Sequence, residues 1–427
     1  MIRETKYCLV ALSLMSAPVV GQTSPNVLLI IADDMGVDAS ACYDVGNTQA
    51  HMPNLEKLCA SGLVFDNTYA APVCSPTRAT IMTGKYGFRT GVGSAIPRTG
   101  GIGLSNDEVT LFDRLNETNY SSNVIGKWHI AGSEDGLDQP SDLGVSDYYG
   151  LYSGGTGDYF KWTAVTGGEE VAVDEYATTH FTSKAIEWID GQDTPWFLWL
   201  AYNAPHTPFH LPPGELHTAN DLPDDEKSIE ENPLPYYNAM LEALDTEIGR
   251  LLSSITDLDN TVVMFIGDNG TPGRTQKSVY GDRGMKGTFW EGGVHVPFIV
   301  NGPGVAKGRT STLVNSTDIY ATVLDIAHVS STAQDSISFK DALAGGANDR
   351  THVYVEHFAA NPDDIRSSNT AGWAIRDSRY KLVTLDGKEP MLFDLLNDSF
   401  ETTDLLASDD NAGALEIAKG LQAAKPG

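Results

Sequence analysis

Cysteine is scarce in this chain, with four in 427 residues, so it is no disulfide-built scaffold. Basic side chains are also few. Lys and Arg total 28 against 57 Asp and Glu, a net charge of −29. Such a surface excludes nucleic acid and anionic membranes as general partners and fits a solvated acidic exterior suited to salty surroundings. An anionic substrate would need a local basic cluster working against that field. No apolar run is long enough to span a bilayer. Internal repeats and low-complexity tracts are absent too. What remains is 41% hydrophobic and 20% charged, enough for one large domain and a smaller one.

The start reads as an export signal over residues 1–21. "MIRETK" is the basic region, "YCLVALSLMSAPVV" the apolar region, and cleavage is expected after Gly21. The expected product is exported, periplasmic or secreted, with no membrane span; an uncleaved anchor is the alternative. Cys8 leaves with the leader, and Cys42, Cys59 and Cys74 remain. An odd count in an oxidising compartment leaves one thiol over. Cys42 and Cys59 can pair, which sequence leaves open.

Four apolar runs of strand length carry polar residues at their C-terminal ends. "NVLLIIADD" ends in Asp33 and Asp34, and "SNVIGKWH" in Lys127 and His129. "WFLWLAYNAPH" ends in His206, and "TVVMFIGDNG" reaches Asp268 and Asn269. Continuous apolar runs read as buried parallel strands. Helical patterns lie between them, as in "MPNLEKLCASG", "ATTHFTSKAIEWIDG" and "PYYNAMLEALDTEIGRLLSSI". The expectation is an α/β fold: a large, mostly parallel sheet sandwiched by helices, spanning residues 22–344. Short alternating runs after residue 345, closed by "NAGALEIAKGLQAA", predict a small C-terminal antiparallel sheet plus helix over 345–427. Ligands of open α/β sheets bind beyond the carboxyl ends of the strands. Any one polar ending can be a turn or cap; four together point to a site.

"CSPTRATIMTG", Cys74 to Gly84, reads as a helix with Pro76 in its first turn and Gly84 as its stop. Cys74 then lies at a helix N-terminus, and Arg78 shares its face. A buried structural cysteine and a thiolate nucleophile are both open readings. The hard oxygen donors and cations at the strand ends suit a metal and an oxyanion better than a soft thiolate.

The stretch resembles the signature of the formylglycine-dependent (type I) sulfatases, in the alkaline phosphatase-like superfamily. The likeness extends through "NVLLIIADDMG", "GKWH", "NAPHTPFH", "GDNG", "KGTFWEGGVHVPFIV" and "WAIRDSRYKLV". The resemblance implies that a maturation enzyme oxidises Cys74 to formylglycine (3-oxoalanine). It implies that Asp33, Asp34, Asp268 and Asn269, with residue 74, hold one Ca²⁺, or Mg²⁺. Arg78 and Lys127 would flank the aldehyde hydrate and His129 would hydrogen-bond it. His206 and Lys286 would hold the sulfate, one of them protonating the leaving alcohol. A hydrate can attack sulfur with one hydroxyl and collapse when the other loses its proton, most naturally to His129; a serine could attack but not collapse.

The implied activity is hydrolysis of a sulfate ester of a small molecule or carbohydrate. A phosphodiesterase or phosphonate monoester hydrolase on the same fold is the alternative, and a non-catalytic binder of sulfated glycans is a third reading. Arg89, Arg98 and His210 are read chiefly as solvated surface, with substrate contact as their other role. "YSGGTGDYFKW" (Tyr152 to Trp162) reads as a loop at the pocket mouth or an ordinary surface loop. Triplets at Asn116, Asn119, Asn315 and Asn397 matter only in a glycosylating host.

Overall fold

In β1 (Asn26–Ala32) every residue is buried. Val27, Leu29 and Ile31 face a core that includes Ile81 and Met82; Leu28, Ile30 and Ala32 face another that includes Tyr237 and Leu241. Helices therefore cover both faces of the sheet, which is why the run is continuously apolar. Each buried Val, Leu or Ile side chain here contributes about 1.5–3 kcal/mol. The computed structural model describes residues 24–46, 48–276, 279–281, 283–359 and 371–427. The expected leader, 1–21, with Cys8, lies outside these residues.

The remaining strands of the large sheet are β2 (Leu63–Tyr69), β3 (Ser121–Gly126), β4 (Tyr149–Gly150), β5 (Trp162–Thr166), β6 (Glu169–Val173), β7 (Trp196–Ala201), β8 (Thr261–Gly267), β9 (Phe298–Asn301) and β10 (Gly308–Asn315). They form a ten-stranded sheet in the order β10-β2-β9-β8-β1-β7-β3-β4-β5-β6. β8, β1, β7, β3 and β4 run parallel, as do β2 and β10. The antiparallel strands β9 and β5 were not anticipated; β9 runs between β2 and β8, and β5 between β4 and β6. The predicted mostly parallel sheet with helices on both faces is observed.

A second sheet, β11 (Val353–His357), β12 (Gly372–Arg376), β13 (Tyr380–Leu385) and β14 (Met391–Asp394), is antiparallel in sequence order. The helix Ala412–Ala423 packs on it through Ala418 and Leu421. Its other side meets Tyr69, Phe289, Val294 and Leu313 of the large unit. Buried ion pairs reinforce this contact: Lys381 of β13 bridges Glu291 at 2.7 Å and Glu401 at 2.9 Å.

Cys42 and Cys59 form a disulfide. They are 17 residues apart, and closing a loop of that size constrains the unfolded chain by about 3 kcal/mol. Replacing both by serine is expected to lower the urea midpoint of unfolding accordingly while leaving activity at low urea intact. An unchanged midpoint would show that the bridge contributes nothing to stability.

Candidate active site

The four strands that end in polar residues are neighbours, β8-β1-β7-β3. Ala32 pairs with Gly267, so Asp33 and Asp268 leave the sheet side by side. Ala201 pairs with both Ile31 and Gly126, which brings the turn carrying His206 between β1 and β3. Asp34 and His129 have left-handed backbones, at φ 72° and 56°. That conformation costs a non-glycine residue of order 1 kcal/mol and is held here by surrounding bonds. The amide of Asp34 donates to Asp268 Oδ1 at 3.1 Å, and the Tyr237 hydroxyl donates to the Asp34 carbonyl at 2.8 Å.

The helix Cys74–Thr83 is buried from end to end. Its small polar residues are consumed locally: Thr77 Oγ1 accepts from the Ala71 amide at 2.9 Å and Ser75 Oγ from the Ile96 amide at 3.0 Å. Gly84 closes it at φ 65°, where a Cβ would lie 2.6 Å from that of Ala333. This fixes Cys74 with Sγ 3.4 Å from Asp33 Oδ1 and 3.6 Å from Lys286 Nζ. Burial, then the Asp33 carboxylate, pushes the Cys74 thiol up to about 12.

Cations and carboxylates interlock around it. Arg78 donates to Asp268 Oδ2 from Nη2 at 2.8 Å and from Nε at 3.2 Å, and its Nη1 donates to the Lys127 carbonyl at 2.7 Å. Lys127 pairs with Asp33, and Lys286 with Asp34. Burial raises the proton affinity of Asp34, but Lys286, His206 and Lys127 outweigh it and hold the carboxyl below its usual range. Burial and Asp33 raise that of Asp268 against the pull of Arg78. Burial works against the Lys286 ammonium, yet Asp34, Cys74 and Asp33 hold its pKa above the usual lysine value.

The two histidines are neutral for a common reason. Burial, with Lys127 and Arg78 beside it, holds His129 well below the usual imidazole range. Its Nε2 faces the Ile96 carbonyl at 3.0 Å, while Nδ1 is buried with no partner among the described residues. His206 is pushed down to about 3 by burial, which Asp34 opposes and Lys127 and Lys286 reinforce. Its Nδ1 bonds the Thr207 carbonyl at 2.8 Å, and Nε2 lies 3.9 Å from Asp34 Oδ2.

Asn269 donates from Nδ2 to Asp34 Oδ1 at 2.8 Å, and its Oδ1 is buried without a hydrogen-bond partner among the described residues. An orphaned acceptor among three carboxylates is a hard-oxygen environment that suits a divalent cation. Ligating atoms of Asp33, Asp34, Cys74 and His206 lie within 4.8 Å of one another. This tight group takes in His206, assigned from sequence to the sulfate, whereas Asp268 is turned toward Arg78.

All ten residues singled out from sequence thus converge on one centre. Tyr159 was missed. Its hydroxyl donates to the carbonyls of Asn203 at 2.7 Å and His206 at 2.6 Å, holding the turn that presents His206. It lies in the glycine-rich loop, which packs directly on the site. A Cβ on Gly154 would come within 2.4 Å of His129 Nε2, and one on Gly155 within 3.3 Å of His206 Cε1. Two surface readings need correction. Arg89 pairs with Asp335 at 2.8 Å, and the half-buried His210 packs its ring at a tilt against that of Tyr159, centroids 4.3 Å apart, among other aromatic side chains. Arg98 is exposed, with its Nη2 donating to the Gly155 carbonyl at 2.9 Å.

Comparison with known proteins gives a consistent result. The family model described as Sulfatase matches residues 25–329, and that described as N-sulphoglucosamine sulphohydrolase, C-terminal, matches 281–423. Arylsulfatase J of Mus musculus is 31% identical over 329 residues, 72% of this chain and 53% of that protein, so the chain spans about half the length of that relative. Arylsulfatase A of Bos taurus is 28% identical over 462 residues, covering 96% of this chain and 89% of its own. Among solved structures, Ps i-CgsB is 25% identical with a TM-score of 0.80, over 93% of this chain and 91% of that one. A second structure of that protein holds k-i-k-neocarrahexaose, at 24% identity and a TM-score of 0.78 over 93% of this chain and 91% of that one.

Proposed function

The chain belongs to the sulfatase family, and from that premise we propose that it hydrolyses a sulfate ester of a carbohydrate, using an aldehyde made from Cys74 and a bound divalent cation. One observation carries the reading: three buried carboxylates, three cations and an unpartnered amide oxygen surround a buried thiol pushed far above neutrality. A thiol so placed is a poor nucleophile, so conversion to an aldehyde is the reading that makes chemical use of the site.

An aldehyde at residue 74, as its hydrate, would supply one hydroxyl to take the sulfuryl group and a second whose lost proton would let the C–O bond break, releasing sulfate and restoring the aldehyde. A divalent cation held by Asp33, Asp34, Asp268, Asn269 and residue 74 would lower the proton affinity of the oxygen at residue 74. The chain's own residues do the rest. Arg78, Lys127 and Lys286 balance the three carboxylates, so a dication leaves the pocket positive toward an anionic ester. Arg78 also fixes Asp268 and the Lys127 carbonyl in place. His129, neutral and open at Nδ1, takes the proton whose loss releases sulfate. Lys286, held charged, supplies one to the leaving oxygen, and His206 orients the sulfate.

Export is supported by the leader-like start and by the Cys42–Cys59 disulfide, a bond typical of oxidising compartments. Among the described residues no helix is long and apolar enough to cross a membrane.

Protein co-expressed with a maturation enzyme is expected to turn over sulfated sugars and an aryl sulfate faster than an aryl phosphodiester. A preference for the diester would replace this reading with that of a phosphodiesterase. Chelation is expected to abolish turnover and calcium to restore it. Calcium should also raise the melting temperature of chelated protein, since it binds only the native state. Asn269→Ala should lose that shift. A chelated protein that keeps full activity would remove the metal from the assignment.

A further inference from the structure

One cavity opens beside His129, and a second adjoins it. The first, of about 290 Å³, is lined by His129, Gly154, Tyr152, Ser153 and Arg98. The second, of about 510 Å³, shares Tyr152, Ser153 and Arg98 with it and reaches Lys161. Their shared walls join them into a trough that starts at His129, with Arg98 lining both cavities and Lys161 the second. Small-molecule sites usually occupy about 300–1,000 Å³, so the trough takes more than one sugar ring.

Arg98 is anchored at one end of its guanidinium by the Gly155 carbonyl, and Gly155 lies against His206. Among the described residues neither Arg98 nor Lys161 forms an ion pair with a carboxylate. The acidic groups lining the second cavity are Asp158, which accepts from the Phe160 amide at 2.7 Å, and Glu170. A chain of charge −29 repels a polyanion overall, so cations set along the approach act where the field must be reversed. A guanidinium fork matches the oxygens of a sulfate, and an ammonium adds a point charge.

We propose that the substrate is a polysulfated oligosaccharide, and that Arg98 and Lys161 hold a second sulfate ester on the sugar next to the one cleaved. This rests on the sulfatase reading above. The test is calorimetric titration of the full-length Cys74→Ala protein, which binds without turnover. The probes are disaccharides of carrageenan, heparin and chondroitin origin with one sulfate on each ring, and the same sugars with one sulfate only. At least one doubly sulfated probe should bind more tightly than its singly sulfated partner. Arg98→Gln and Lys161→Gln should each weaken that binding roughly 10-fold, the scale of a lost charge-assisted hydrogen bond. Neither should change binding of the partner. Equal weakening of both sugars, or of neither, would overturn the proposal, as would a stronger effect on a singly sulfated disaccharide that carries a uronate. Aryl sulfate turnover by matured protein reports separately. Its absence in the wild type would sink the sulfatase reading, whereas turnover with no discrimination between the sugars would sink only the second-sulfate site.

Discussion

Cys74→Ala is expected to lower kcat by roughly 10⁴–10⁶-fold, the scale seen when a covalent nucleophile is removed, with the fold retained. The site explains why a thiol does not substitute. Burial and the Asp33 carboxylate push the Cys74 thiol well above its ordinary value, which disfavours the thiolate. Its neighbours Asp33 and Lys286, at 3.4 and 3.6 Å, are instead suited to orient an oxygen. Active wild-type protein should therefore carry an aldehyde at residue 74, read by mass spectrometry of the peptide spanning Cys74 to Arg78. Cys74→Ser, made without the maturation enzyme, should release at most one equivalent of alcohol and gain one sulfuryl group, because a serine ester has no second hydroxyl with which to collapse. Fully active protein with an unmodified thiol would overturn the assignment, and so would sustained turnover by the serine variant.

Lys286→Ala is expected to slow a sulfated sugar roughly 10²–10⁴-fold more than a nitrophenyl sulfate, the range of general acid catalysis. A sugar alkoxide needs a proton as it departs; a nitrophenolate leaves almost unaided. Two observations favour Lys286 over His206 as the proposed acid. His206 is pushed down to about 3, and its Nδ1 is committed to the Thr207 carbonyl, so at neutral pH Nε2 carries a lone pair. Lys286 is held protonated by Asp34 and sits beside residue 74. His206→Ala should accordingly reduce kcat/KM for both substrates by the same factor, because a contact to the sulfate does not depend on the leaving group. Selective loss on the sugar in His206→Ala, with equal loss in Lys286→Ala, would exchange the two roles.

Much of the site was legible along the chain because burial and chemistry leave local marks. β1, β7 and β8 read as buried from their unbroken apolar runs, and their polar endings marked one edge of the sheet. The helix Cys74–Thr83 could be read between Pro76 and Gly84, since proline and glycine act through backbone geometry alone. What the tertiary structure decided is which ends meet. Strand order depends on pairings between distant segments, and Asp34 meets Asp268 across 234 residues. No periodicity within a run reports that β8, β1, β7 and β3 are adjacent. Nor does it reveal that β9 and β5 run antiparallel. The disulfide, the ion pairs of Lys127 with Asp33 and Lys286 with Asp34, and the folding of the glycine-rich loop onto His129 and His206 are of the same kind. Charge and residue type are properties of one position, whereas a pKa, an orphaned amide oxygen or a cation set in a trough arises only when the packed chain removes water and fixes distances.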